Sequence, residues 1–570
     1  MYTLNHYSFE SVPTVYDEEA LTVLELCSRL GAKINELIKG HNDQDELIKA
    51  LYSTELTKQV AEWLEAHPEV TTTVQDGELT LAKFMTGALG FVTPQLFGAR
   101  GDGLTDDTQA IVDAIACLGD KCSTLYFPAG TYLVSEDISI PGNVLVYGDG
   151  DVSAIRRKAN NLTEYNVFLC EDVENVIFRN IRVIGDRTDH DGTVGEWGHG
   201  ITLWGTHHVT IENCTLCNCW GDGIYVGSSK ANGRACTETT IKNCTIDNNR
   251  RNGVSVIHCD GFYLFDTTIM NTNGTKPQSG IDFEPNELDE FIRRAFVDGC
   301  TIKDNATVGI NWYDRNGAEC TITNCRIYGN HGIVYNTEEP TEKLEGKVIM
   351  QNCHIETAQN CLHFDRKHIN SVPFIVMGCT LSSPLPIVQF GSGTINFPHN
   401  MGEFHMLDCY VLRSEHSTGW FRYQNADTTQ PMKKVTLDVR LAPGVVPIVY
   451  STISYNELDA NIKCDVVTLT ANTTMTNQTT RTNIEVDTAS APVTLTLSHN
   501  IPYGVPITIK KVGEGGNAVT VITSTQNLPQ LGHADRFSFG TIQDSVTLTH
   551  MANGSWHILD NTVKGVTYTA

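Results

Sequence analysis

The chain is short of charge, of basic side chains and of long apolar runs. Only 19% of its 570 residues are Asp, Glu, Lys or Arg. Lys and Arg total 40 against 67 Asp and Glu, a formal net charge of −27. That balance argues against nucleic-acid binding, which needs a basic face. It opposes attraction to an anionic membrane surface as well. It does not oppose a carbohydrate partner. With no run of 18 apolar residues, no membrane-spanning helix is expected. The opening MYTLNHYSFESVPTVYDEE carries neither a basic stretch nor an apolar one, so no signal peptide is visible. The 18 cysteines lack compact framework spacing. Without an export signal they are expected to be reduced thiols in a protein that folds in cytosol.

Hydrophobic content of 41% is ordinary for a folded protein, and the length calls for roughly two to four domains. The N-terminal part reads as helix. Ala20, Val23, Cys27, Leu30, Ile34 and Leu37 form an a/d seam over residues 17–39. A seam this short suits a bundle, a trimer stalk or a helix packed on its own chain. A second helix is expected over 44–66, with Pro68 just beyond its end.

Residues 97–151 change character. Asp106 and Gln109 open a short helix, TQAIVDAIACL, in the manner of a capping box. LYFPAGTYLV then reads as strand, turn, strand.

From about residue 170 the chain repeats itself. IENCTL, IKNCTI, VDGCTI, ITNCRI, MQNCHI, VMGCTL and MLDCYV put Cys214, Cys244, Cys300, Cys325, Cys353, Cys379 and Cys409 in one register. Thr267 takes that place once, and the steps run from roughly 23 to 33 residues. A second phrase comes between copies: HGITL, DGIYV, NGVSV, SGIDF, VGINW, HGIVY. Short strands in an irregular turn of this length indicate a parallel β-helix. Stacked coils about 4.8 Å apart give each register its own column. The cysteine column is expected to be a buried packing ladder, because a zinc site would pair its thiols with a second cluster at defined spacing. No metal or cofactor is expected.

The stretch from Gly280 to Pro285 holds the candidate chemistry. Ile281 and Phe283 alternate with Asp282 and Glu284, so both carboxylates are expected on the solvent face of one strand, roughly 7 Å apart. Two carboxyl groups on one rigid surface are the minimum equipment for glycoside hydrolysis. Glu284, with the longer arm, is the expected acid, and Asp282 the base or nucleophile. Asp222, Asp260 and Asp314 are candidate partners from neighbouring coils. Thr202, Tyr225, Ser255, Asp282, Asn311 and Val334 share one outward column; Trp204, Gly227, Ile257, Glu284, Tyr313 and Asn336 share the next. The expected substrate-binding residues are Trp204, Tyr225, Arg251, His258, Asn311, Trp312 and Tyr313, since aromatic rings stack on sugar faces. The loop PNELDEFIRRA directly after the pair is a candidate wall. Beyond about 466 the chain turns Thr-rich and strand-patterned, which suggests a small β-sandwich-like module.

Phe97-Gly98-Ala99, Gly101-Asp102-Gly103, Thr105 to Thr108, Phe127 to Tyr132 and the Gly148-Asp149-Gly150 turn resemble the entry segment of the pectate-lyase-like right-handed β-helix superfamily. The resemblance implies that this segment caps the solenoid, with Asp102, Asp106 and Asp107 as turn and cap residues. Residues from Pro13 to Asp43 resemble the attachment segment of tail proteins from phages of Gram-positive bacteria. The stretch from PITIKKVGEGG to SWHIL resembles distal modules of tail fibres and tailspikes. As a whole the chain resembles a phage or prophage tailspike: helices over 1–92, a mainly β, right-handed parallel β-helix over 93–465, and a β module over 466–570. The resemblance implies a homotrimer joined to the phage tail through its N-terminus, located on the virion. It implies a depolymerase that binds and hydrolyses a bacterial surface polysaccharide. A polysaccharide lyase, and an adhesin without catalysis for capsule or teichoic acid, remain alternatives.

Overall fold

A computed structural model describes residues 90–569 apart from 120–122, 317, 338–343, 367–369, 392–401, 415–419, 424–433, 443–444, 446–448, 452–457, 465–466, 476–481, 498–505, 513–515, 524–535, 540, 542–543, 551–555 and 562–566. The expected helices over 17–39 and 44–66 lie outside the described residues.

The chain winds into a parallel solenoid with three sheets. Strands Glu164–Glu171, Trp197–Trp204, Ile224–Gly227, Asn252–Val256 and Ser279–Phe283 stack in parallel, and the second half of Thr301–Asp314 continues them. A second sheet runs through His207–Glu212, Cys236–Lys242, Cys259–Phe265 and Ile292–Asp298. A third runs through Thr215–Cys217, Thr245–Asp247 and Thr268–Met270. Each coil contributes one strand to each sheet, the two-residue alternation placing one face inward.

The inward residues form ladders. Ile201, Ile224, Val254, Ile281, Ile310 and Ile333 pair coil to coil. Leu216, Ile246, Ile269, Ile302, Ile327 and Ile355 do the same on the third sheet. All are buried, and each such side chain contributes roughly 1.5–3 kcal/mol. Glycines of the second phrase stand where coils approach most closely. A Cβ on Gly280 would fall 2.5 Å from Ile302 Cγ2 and 2.6 Å from the Gly309 carbonyl oxygen.

The cysteine phrase marks one corner. Asn213, Asn243, Asn324 and Asn352, each just before a cysteine, have φ of 53°. Asn tolerates this left-handed conformation because its short amide can bond locally. The next side chain then turns inward. Cys214, Cys244, Cys300, Cys325, Cys353, Cys379 and Cys409 are buried free thiols. Each Sγ donates to the carbonyl two residues earlier, at 3.1 Å for Cys325 and 3.5 Å for Cys409. Thr267 makes the same bond through its hydroxyl at 2.8 Å, so the substitution keeps the geometry.

At the entry end, Asp107 accepts the Arg100 and Gly101 amides at 2.8 and 3.0 Å. Asp102 accepts those of Leu104 and Thr105. The helix Thr108–Ala116 departs from the capping box. Asp106 accepts the Thr108 hydroxyl at 2.6 Å, while Gln109 donates forward to Asp113. The ladder of the solenoid runs to Leu458–Cys464. Beyond it stand two five-stranded sheets. In each, the first three strands pair in parallel and the last two join antiparallel. Their own core includes Ile484, Leu495, Val521, Phe537, Leu548 and Trp556.

Candidate active site

The outer face of the first sheet carries one polar column. Thr202 pairs with Tyr225, Tyr225 with Ser255, Ser255 with Asp282 and Asp282 with Asn311, one per coil. This is the column expected from the second phrase. A second polar row lies three residues earlier on the same coils, at the residue before each glycine: His199, Asp222, Asn252 and Ser279, all buried.

The two rows lock together. Asn252 Nδ2 donates to Asp282 Oδ2 at 2.9 Å, and Asn311 Nδ2 donates to Asp282 Oδ1 at 2.8 Å. Asp222 accepts the Ser255 hydroxyl at 2.8 Å, the Asn252 backbone N–H at 2.9 Å and Arg251 Nη1 at 3.1 Å. The same guanidinium places Nη2 3.5 Å from Glu284 Oε2 and Nε 3.7 Å from Glu196 Oε2. His199 Nδ1 accepts the Asp222 N–H at 3.0 Å, which fixes its proton on Nε2. Its ring stacks on Tyr225 at 4.9 Å.

Burial sets the charges. Asp282 is fully enclosed; burial raises its carboxyl above the ordinary range, against the pull of Arg251 and of Asn311. Glu284 is raised to about 7, by burial first and by the neighbouring Asp282 carboxylate second, with Arg251 pulling the other way. Burial also raises Asp222. His199 is lowered to about 3, by burial and then by Arg251, and stands neutral. For Arg251, burial opposes the charge, but Asp222, Asp282 and Glu284 outweigh it and keep the guanidinium protonated.

Several sequence expectations change here. The strand alternation put both carboxylates in solvent, yet only Glu284 reaches it, its side chain 30% exposed; neighbouring coils close over Asp282. Asp222 joins the cluster. Asp260 does not: it belongs to the second sheet and accepts from Arg294 at 2.6 Å. Asp314 has the inward parity of Trp312 and accepts the Tyr335 hydroxyl inside the solenoid. Trp312 itself is core, packed 4.4 Å from Phe283. Trp204 is buried beneath Lys230 Nζ, which lies 3.6 Å above its ring and is paired with Glu164. His258 is buried, its Nδ1 3.0 Å from the Ser228 hydroxyl, and Ser228 donates to Glu290 at 2.6 Å. Tyr225, Arg251 and Asn311 stand within the cluster, and Tyr313 lies half-buried two residues beyond Asn311.

The wall after Glu284 is pinned by Glu290, whose carboxylate accepts the Asn286 and Glu287 amides at 2.7 and 2.9 Å. The segment before Trp197–Trp204 brings Glu196 Oε2 to 3.7 Å from Arg251 Nε. Trp197 is 48% exposed, whereas Trp204, Trp220, Trp312, Trp420 and Trp556 are 9% or less. Sequence reasoning missed His199 and Asn252, although both precede the glycine of a repeated phrase. It also missed Glu196, which lies outside any repeat.

Residues 142–282 and 199–392 match the family model described as right handed beta helix region, and with the parallel ladders this defines the solenoid as a right-handed β-helix. Its relatives include phage proteins. The chain is 25% identical over 313 residues to the pre-neck appendage protein of Bacillus phage phi29, covering 50% of this chain and 35% of that protein. It is 28% identical over 231 residues to the uncharacterized protein YclG of Bacillus subtilis, covering 36% of this chain and 38% of that one. The tailspike protein of E. coli bacteriophage HK620, solved with a pentasaccharide, shares the fold. Its TM-score is 0.50 at 12% identity, over 84% of this chain and 92% of that one. The chain spans little more than a third of the length of the first two proteins.

Proposed function

We propose that this chain is a tailspike-type depolymerase that binds and hydrolyses a bacterial surface polysaccharide. The observation that carries the reading is Glu284. It is a solvent-reaching carboxyl held half-protonated near neutrality, above a buried layer of Asp282, Asp222, Asn252 and Arg251. A general acid works best with a pKa near the operating pH. Glu284 gives its proton to the glycosidic oxygen as the bond to the leaving sugar breaks. Asp282 is a positioning residue: enclosed, it raises the Glu284 pKa and anchors the strand. The similarity to phage tail proteins supports a place on the virion tail, with the N-terminal segment as attachment and three copies as the assembled form.

Incubation with purified surface polysaccharide, followed by mass and ultraviolet analysis of the products, tests the reading. Saturated oligosaccharides are expected. Unsaturated, absorbing ends identify a lyase, and binding without products identifies an adhesin.

A further inference from the structure

Hydrolysis needs a second carboxylate, one that can touch water or the anomeric carbon. The cluster offers four besides Glu284. Asp222 and Asp282 are fully buried and committed to Arg251, Ser255, Asn252 and Asn311. Glu290 is 7% exposed, with both oxygens occupied by Ser228, Asn286 and Glu287. Glu196 differs from all three. Its side chain is 53% exposed, and its Oε2 faces the same guanidinium that Glu284 faces, at 3.7 Å.

We propose that Glu196 is the catalytic base of this site, paired with Glu284 as acid in a single-displacement, inverting hydrolysis. The proposal rests on the reading of the site as a glycoside hydrolase. Glu284 and Glu196 approach Arg251 at different nitrogens, Nη2 and Nε, at 3.5 and 3.7 Å. Bridged by one guanidinium, their separation is capped near the upper end of the roughly 6.5–9.5 Å that inverting enzymes use. Arg251 faces both carboxyls and is itself held by buried Asp222. In the reaction, Glu196 takes a proton from water as the water oxygen bonds to the anomeric carbon. The glycosidic C–O bond breaks, and the leaving oxygen takes the Glu284 proton. Both carboxyls end with protonation exchanged and reset through solvent. Trp197, next in sequence and exposed, stands where a ring of the same polysaccharide can lie against it.

The test uses the full chain and the polysaccharide it cleaves. Glu196→Gln should lose at least about a hundredfold in kcat, the lower range for a lost base, with KM and melting temperature unchanged. Azide should restore part of that rate and yield a glycosyl azide, whereas Glu284→Gln should gain nothing from azide. NMR of the first product should show an inverted anomeric centre. Glu196→Gln cleaving at the parent rate, or a retained anomeric configuration, overturns the assignment. If Glu284→Gln alone is inactive, the hydrolase reading survives and only Glu196 falls; if both variants cleave at the parent rate, the reading falls too. A merely structural ion pair would lower the melting temperature and leave azide without effect.

Discussion

Arg251 Nη2 lies 3.5 Å from Glu284 Oε2, yet Glu284 still titrates near 7. An opposite charge that close ordinarily holds a carboxyl down. Here the guanidinium is shared: Asp222 takes Nη1 and Glu196 stands at Nε. Burial and the enclosed Asp282 outweigh what remains. The arrangement keeps a proton on a surface carboxyl without isolating it from water.

Glu284→Gln should therefore lose at least about a hundredfold in kcat, as removal of a general acid does, while still binding polysaccharide. Asp282→Asn should act differently. With the enclosed charge gone, the Glu284 pKa falls, so the alkaline limb of the rate profile moves to lower pH. Rate profiles of both variants check this. An Asp282→Asn profile superimposed on the parent's would show that Asp282 does not tune its neighbour.

Glu284 also gives stability a pH dependence of definite sign. Folded, it binds its proton more tightly than unfolded, its pKa rising from 4.5 to about 7. Stability is then fully present below the unfolded pKa and declines as pH rises through about 7. Replacement by Gln removes that decline. Glu284→Gln should gain up to about 3 kcal/mol over the parent at pH 8 and nothing at pH 4. Thermal unfolding at the two pH values is the measurement; an equal gain at both would rule out Glu284 as its source.

Much of this site could be read from the repeat. The residue two past each glycine predicts the column from Thr202 to Asn311, because alternation fixes the side and the coil step fixes the neighbour. The same parity places Trp312 beside Ile310, inside, where a ring cannot meet a sugar. Parity cannot say whether an outward residue stays in water. Asp282 is enclosed by amides from the coils on either side, a second layer visible only in three dimensions. Glu196 belongs to a segment between strands, where nothing repeats and no register points to it.

The cysteine ladder makes a prediction of its own. Burial pushes the Cys409 thiol up to about 11, and each thiol of the column is spent on a carbonyl two residues back. Buried thiols of this kind are inert. Titration of the native protein should find few reactive groups, and titration after denaturation about 18, the full complement. Most of the thiols reacting at once in the native state would contradict the packing.

Arg251 carries the last prediction. Its side chain is 12% exposed, and it faces Asp222, Glu284 and Glu196 within 4 Å. Arg251→Met keeps the apolar stem and removes the charge, leaving Asp222 buried without its cation. Removing one partner of a buried pair costs roughly 3–5 kcal/mol. The cost should depend on pH. Arg251 lowers the pKa of Asp222 and of Glu284, so both rise in its absence and the folded state holds its protons to higher pH. The deficit is therefore largest at alkaline pH and shrinks as acid neutralises the orphaned carboxyls. Arg251→Lys restores the charge but not the fork that reaches three partners, and should fall between. In catalysis the sign reverses: with Glu284 protonated to higher pH, whatever activity Arg251→Met retains should extend further into the alkaline range. Melting curves at pH 5 and 8, with rate profiles on the same preparations, test both halves. A variant as stable as the parent at pH 8 would mean that Arg251 neither holds the buried layer nor sets the charge of the groove above it.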